Sequence, residues 1–275
     1  MRAHFGGSSR KSLVTSRESL DAAVKGVDAI TASTLSSELF FFAEVLNANI
    51  ALRRGLTDPS GDGKAKASFI TQLFGNKISQ IAIDLVTQIS TLRWSAPKDL
   101  VLVVEQLAIE AEASAANIVG ELDQVEDEIF KISTAIAGSS ELRKALTTDA
   151  KSAKTALVAD ILKGASDSTI KLVSQLVNSW RGRSVESGFA DYQWALAARR
   201  NRVIANVRVA APISQEQQDR LSTALTSKVG QPVRINIEID PSVIGGVSVK
   251  FADEIVDGSV SNRLAGAARA LAGSK

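Results

Sequence analysis

Enzymatic chemistry draws on a short list of side chains, and this sequence lacks most of them. It contains no cysteine and a single histidine, His4. Thiol nucleophiles, disulfides and cysteine-ligated metals are therefore excluded, and a histidine base or triad would have to rest on a residue in the N-terminal tail. Two stretches imitate catalytic motifs. Gly61-Asp62-Gly63-Lys64 lacks the upstream glycine and the following Ser or Thr of a phosphate loop. Glu126-Asp127-Glu128 has the acid density of a metal site, but consecutive helical positions diverge by about 100°, so the cluster reads as a solvated face. The basic run Arg199-Arg200-Asn201-Arg202 suits the carbonyl end of a helix better than a nucleic acid backbone. What remains is recognition chemistry. Phe40, Phe41 and Phe42 stand in succession on one helix and cannot share a stripe. Arg93-Trp94 and Trp180-Arg181 recur near matching helix ends. These seven residues are the candidate partner contacts; no catalytic, cofactor-binding or metal-binding set is expected.

Composition supports that direction. The 275 residues are 45% apolar and 23% charged, enough for two or three compact units. With 32 basic against 30 acidic side chains the formal charge is +2, too even to imply nucleic acid or a membrane surface on charge alone. The sequence has no secretory core and no uninterrupted apolar run of membrane-spanning length. The expectation is a cytosolic chain, or one held at a membrane only through partners.

The elements that would position the aromatic residues are helices. Residues 1–11 read as a mobile basic tail. Thr15-Ser16-Arg17-Glu18 has capping-box spacing and predicts a helix through about Ala32. A second helix is expected from about Thr34 to Arg54, with Leu35, Leu39, Phe42, Leu46 and Ile50 on one stripe. Pro59 and Gly61 then break the chain, and helices follow over Lys64–Phe74 and Ile78–Trp94. From Pro97 to Ala137 the pattern predicts one helix of roughly 60 Å. Its apolar positions, among them Val104, Leu107, Ala111, Ala115, Leu122, Val125, Ile129 and Ile136, share a face, and Glu105 and Glu112 fall mostly off it. Gly120 is the one glycine inside it and the one place where it would bend. A last long helix is expected from Val185 to Asn201.

An internal repeat runs through these helices. Leu52-Arg53-Arg54-Gly55-Leu56-Thr57 recurs 90 residues later as Leu142-Arg143-Lys144-Ala145-Leu146-Thr147. Lys66, Phe69, Ile70 and Leu73 match Lys154, Leu157, Val158 and Ile161 at a spacing of 88, and Ile83–Ile89 matches Ile170–Leu176 at 87. Spacing that shrinks only in loops indicates one duplicated helical module rather than a solenoid. The expected division is a tail (1–11), a first module (12–110), a second module (111–202) and a C-terminal domain (203–275).

After Val203 the period changes to two. Val203, Ala205, Val207 and Val209 alternate with polar residues, and so do Val233, Ile235, Ile237 and Ile239. Between them a helix would bury Leu221, Ala224, Leu225 and Val229. Short strands at Val247–Phe251 and Glu254–Val256 and a closing helix at about Ser259–Leu271 complete a small α/β domain. The fold class is thus mainly α, with two tandem helical modules sharing a long helix and a small C-terminal α/β domain. Asp240 and Asp257 fit turn caps, and Gly245-Gly246 fits a positive-φ turn.

This C-terminal region resembles the delta subunit of F-type ATP synthases, the OSCP/delta family. The matching residues are Val207–Ser214, Ile239-Asp240-Pro241-Ser242-Val243-Ile244-Gly245-Gly246-Val247-Ser248-Val249, Asp253–Val260 with Asp257 and Gly258, and Arg263-Leu264. The upstream helices are similar to the family's N-terminal bundle, so the likeness spans nearly the whole chain. The extra copy of that bundle departs from the usual pattern and resembles the long actinobacterial form. The resemblance implies a non-catalytic part of the peripheral stalk, or stator, present in one copy per complex on the cytoplasmic face of the membrane. Its N-terminal bundle would hold the N-terminal helices of the alpha subunits and its C-terminal domain the distal end of subunit b, without inserting in the membrane. The competing reading from another class is a helical adaptor or RNA-associated protein, which strong salt-dependent nucleic acid binding would favour.

Overall fold

The computed structural model describes residues 5–147, 151–199, 203–229, 233–240, 247–251 and 254–257. Two compact units are present, Met1–Leu196 and Ala197–Lys275. The first is built from helices: α1 (Gly7–Ala23), α2 (Ala29–Ala48), α3 (Ile50–Thr57), α4 (Gly63–Phe74), α5 (Gln80–Ser90), α6 (Pro97–Ile118), α7 (Leu122–Ala137), α8 (Ser140–Thr147), α9 (Lys151–Ile161), α10 (Asp167–Asn178) and α11 (Val185–Arg199). The repeat is visible in this order, because α7 to α11 follow the pattern of α2 to α6. Helix α6 itself begins 90 residues after α1 and so stands in two places, last of the first set and first of the second.

The expected helix over Pro97–Ala137 is two helices, α6 and α7. Gly120 takes φ +79°, Glu121 N–H donates to Ala116 C=O at 2.8 Å, and Gly120 N–H to Asn117 C=O at 3.2 Å. This is the glycine-terminated helix end in which a left-handed residue returns the last donors to the final turn. The chain does not bend at Gly120; it stops and restarts. Helix α2 likewise ends early, at Ala48. Asn49 leaves the helical region at φ −116°, ψ 93°, and its side-chain amide donates to Val45 C=O at 2.8 Å. Leu35, Leu39, Phe42 and Leu46 are buried as the stripe requires, but Ile50 lies beyond the break and is exposed.

The N-terminus also differs from expectation. Helix α1 starts at Gly7, inside the stretch read as a tail, and Phe5 is buried. Serines anchor it: Ser9 Oγ donates to Asp99 at 2.6 Å and Ser12 Oγ to Arg93 C=O at 2.6 Å. The supposed capping box at Thr15–Glu18 therefore lies inside the helix, where Ser16 Oγ donates to Ser12 C=O.

Helix α6 is the centre. From Leu100 to Ala116 every residue except Leu102 is buried, including Glu105 at 1%, Glu110 at 2% and Glu112 at 2% exposure. The apolar positions behave as the periodicity requires, but the acids do not face solvent. A helix covered on all sides has no solvent face to give them. Helix α2, which has the length and mean hydropathy (1.3) of a membrane span, packs its apolar side on α6.

The second unit contains β1 (Val203–Val209), α12 (Gln215–Val229), β2 (Val233–Ile239), β3 (Val247–Phe251) and β4 (Glu254–Asp257). The sheet order is β2-β1-β3-β4. Strands β1 and β2 are parallel, with Val203 opposite Val233 and Val209 opposite Ile239, and α12 makes the crossover that a parallel pair needs. Strand β3 is antiparallel to both β1 and β4. Ala205, Val207, Val209, Val233 and Val249 meet Leu225 in the core; Ala224 is exposed. Pro241, Gly245, Gly246, Gly258, Arg263 and the expected closing helix lie outside the described residues. Asp240 N–H donates to Val209 C=O at 2.9 Å, and Asp257 pairs with Ser248.

A Cβ at Gly120 would meet nothing within 4 Å, so Gly120→Ala carries only the conformational cost of the left-handed region. Urea denaturation should show a loss of about 1–2 kcal/mol with an unchanged m-value.

Candidate partner interface

Three acids on α6 organise the interior, each paired with a cation from a different element. Glu110 accepts from Arg17 Nε at 2.8 Å and Nη2 at 2.6 Å, and from Gln106 at 2.7 Å. Arg17 also stacks over the Trp194 ring, 4.9 Å from its centroid, tying α1 to α11 across α6. Glu112 accepts from Lys171 Nζ at 3.0 Å and Ser168 Oγ at 2.8 Å, both from α10. The same lysine donates to Ser33 Oγ and, at 2.9 Å, to Ser33 C=O on α2. Glu105 pairs with Arg183 Nη2 at 2.8 Å and lies 3.8 Å from Arg181 Nε. The Tyr192 hydroxyl, buried beside it, has its pKa pushed well above the usual phenol range, by desolvation first and by Glu105 second.

Of the sequence candidates, Arg181 turns inward. Its side chain is 3% exposed, bridges to Glu44 on α2 at 3.1 Å, and holds a left-handed backbone at φ 51°. Trp180 Nε1 donates to Leu146 C=O at 3.1 Å and its ring meets Phe189 edge-on. Trp94 Nε1 donates to Ile89 C=O at 3.2 Å; both indoles are half-buried. Arg93 is exposed, with its carbonyl taken by Ser12. The three phenylalanines divide. Phe42 is fully buried against Phe74, and Phe40 stacks on Tyr192 with centroids 6.5 Å apart. Phe41 is 42% exposed and lines an open groove of about 780 Å³ between α2, α3 and α4. In the acidic run, Glu126 is buried rather than solvated, because it lies one helical turn behind Ile129 on the inner side of α7.

One repeated contact escaped the sequence reading. Glu38 accepts from both the N–H and the hydroxyl of Ser79, each at 2.6 Å. Glu128 accepts from the N–H and hydroxyl of Ser166 at 3.0 and 2.7 Å. The two glutamates are 90 residues apart and the two serines 87, the same spacings as the surrounding helices. Each serine caps the helix that follows, α5 or α10. Extending the repeat to polar positions would have exposed this strut. Burial raises the Glu128 pKa, but hydrogen bonds from Thr169, Gln124 and Ser166 outweigh it and hold the carboxyl below its ordinary value.

With this geometry in view, similarity to known proteins becomes decisive. The family model described as ATP synthase delta (OSCP) subunit matches residues 110–271, more than half of the sequence. An ATP synthase subunit delta from Streptomyces coelicolor is 41% identical over 271 residues, covering 97% of this chain and 98% of the relative. The chain belongs to the ATP synthase delta (OSCP) family. The subunit delta of Thermobifida fusca is 39% identical over 265 residues, 94% of this chain and 98% of its own. That of Kineococcus radiotolerans is 35% identical over 270, with 97% and 98% covered. These relatives match this chain nearly end to end. The family match begins within α6, which leaves α1–α5 ahead of it.

Substitutions at two positions test the internal contacts. Glu105→Ala removes the nearest countercharge of Arg183, which keeps Asp191 at 3.4 Å, and should lower stability by about 1.5–3 kcal/mol. Glu128→Ala should cost about 1.5–3 kcal/mol. Because the folded pKa of Glu128 is depressed, its contribution is full above the reference value of 4.5 and is lost as pH falls through the lower folded value. In urea titrations below pH 4.5, Glu128→Gln should therefore lose stability less steeply than the parent.

Proposed function

We propose that the chain is a non-catalytic subunit of the peripheral stalk of an F-type proton-translocating ATP synthase. It links the alpha/beta catalytic head to subunit b, so that proton flow is coupled to ATP synthesis. The observation that carries this reading is the near end-to-end similarity to ATP synthase delta subunits. The architecture supports it. A stator has to transmit torque without yielding, and a central helix clamped by ion pairs to both helical sets suits that task. The deepest carboxylates, Glu105, Glu110 and Glu112, are committed to these clamps.

In this reading the helical modules, 12–110 and 111–202, hold N-terminal helices of the alpha subunits. The α/β domain holds the distal end of subunit b. The chain is peripheral, held at the cytoplasmic face of the membrane through the complex. Washing membranes that carry the complex at low ionic strength, without detergent, should release the chain and uncouple proton flow from ATP synthesis. Adding the purified chain back should restore coupling. Restored coupling without the chain, or its recovery only in fractions lacking alpha and beta subunits, would sink the proposal.

A further inference from the structure

The groove between α2, α3 and α4, about 780 Å³, falls within the size range of small-molecule sites. Leu56 and Phe74 line it from the core side and are buried, whereas Phe41, Phe69 and Leu73 form an exposed apolar rim. The Phe41 ring meets Phe74 edge-on, with centroids 6.3 Å apart. At the repeat spacings the second copy has Lys131, Leu157 and Ile161 in place of the rim residues, so the aromatic rim is a property of the first copy.

The charged side chains that line the groove are Asp62, Lys66 and Lys77, two bases against one acid. Lys77 is exposed, and Asp62 caps α4 by accepting from Lys64 N–H at 3.3 Å. Lys66 is different, because its side chain is 8% exposed. Its ammonium donates to Asp58 C=O at 2.7 Å and Ser90 C=O at 3.2 Å. An ammonium has three donors, and among the described residues no carboxylate pairs with this one. The Asp58 carboxylate accepts from Ser60 instead, through the N–H at 2.9 Å and the hydroxyl at 2.7 Å. Desolvation lowers the Lys66 pKa, outweighing the opposite effect of Asp58. A desolvated cation with a donor to spare, set in an apolar wall, matches an anion that carries an apolar chain. The two carbonyl oxygens beside the ammonium disfavour a dianion such as phosphate. An ammonium this deeply set also requires a slender group at the end of a flexible chain.

We propose that this groove binds a single-chain carboxylate of the fatty acid class, with its carboxylate on Lys66 and its chain against Leu56, Phe69 and Phe74. The site goes beyond the stalk reading and does not depend on it.

Octanoate and decanoate, kept below their micellar concentrations, are titrated calorimetrically into the full chain, with 1-octanol as the uncharged counterpart. One decanoate should bind per chain, about fifteenfold tighter than octanoate, since each buried methylene adds about fourfold. Lys66→Met should weaken both acids by about tenfold or more and leave 1-octanol within twofold. Gly55 lines the groove on α3, and a Cβ there meets nothing within 4 Å. Gly55→Leu therefore fills the groove while favouring the helix, and should weaken all three ligands about tenfold; thermal melts check that both variants fold. No binding of decanoate to the parent, or equal binding of the two acids, would overturn the proposal. So would decanoate binding to folded Gly55→Leu within twofold of the parent. If Lys66→Met folds and keeps the parent's affinity for decanoate, the carboxylate assignment is overturned. Binding to phosphatidylglycerol vesicles but not to decanoate would overturn it in favour of a lipid surface. Self-association abolished by Gly55→Leu, without decanoate binding, would overturn it in favour of a second copy of the chain.

Discussion

Three carboxylates in the interior of one helix set the terms for the helical unit. Each costs several kcal/mol to take from water, and only a well-placed cation with further hydrogen bonds repays that. The cations come from α1, from α10 and from the turn before α11, so no single neighbour can satisfy α6. The apolar residues of α6 cannot be buried without burying Glu105, Glu110 and Glu112 with them. Their burial is favourable only when helices on both sides are already in register. Packing of the two copies is thereby tied into one event, consistent with the continuous core from Phe5 to Leu196.

Around that centre the duplication is preserved where it supports the backbone and altered where the surface is open. The glutamate–serine strut that fixes α2 to α5 recurs between α7 and α10. The arginine that reaches back to the preceding helix recurs too, Arg53 to Leu46 C=O and Arg143 to Ala137 C=O. Both sets of contacts satisfy a helix end, the start of α5 or α10 and the last turn of α2 or α7, where unpaired backbone groups need partners whatever the outer surface does. Phe41 and Lys131, at equivalent places on the outside, are under no such demand and have diverged.

What the sequence disclosed follows from the range of the interactions involved. The strands β1 and β2 were legible to the residue, because alternation is local and the hydrophobic side of the sheet is fixed by period two. The repeat was legible because its spacing survives insertions. The start of α1 was hidden: Gly7-Ser8-Ser9 is a weak helix former, made helical by Asp99 and Arg93 some ninety residues away. The break at Asn49 carries neither Gly nor Pro. The burial of Glu105 and Glu112 was missed for the same reason, since their counterions are 59 to 78 residues distant. Of the groove, the geometry of three successive phenylalanines required one to turn outward. Lys66 stood out only as part of the repeat, because the carbonyls that bury it come together only in the fold.

Helix α6 serves as the last member of one six-helix set and the first of the next. The chain therefore lengthens by five helices per copy rather than six, and the copies meet without a seam. Two modules joined by a linker can pivot or shear along their contact. Two modules that own the same helix have no surface to slide on, and separating them means stripping a helix from both cores at once. The same economy restricts evolution, because a substitution in α6 is judged by two cores together. Copies could be added at either end by the same rule, each costing one shared wall.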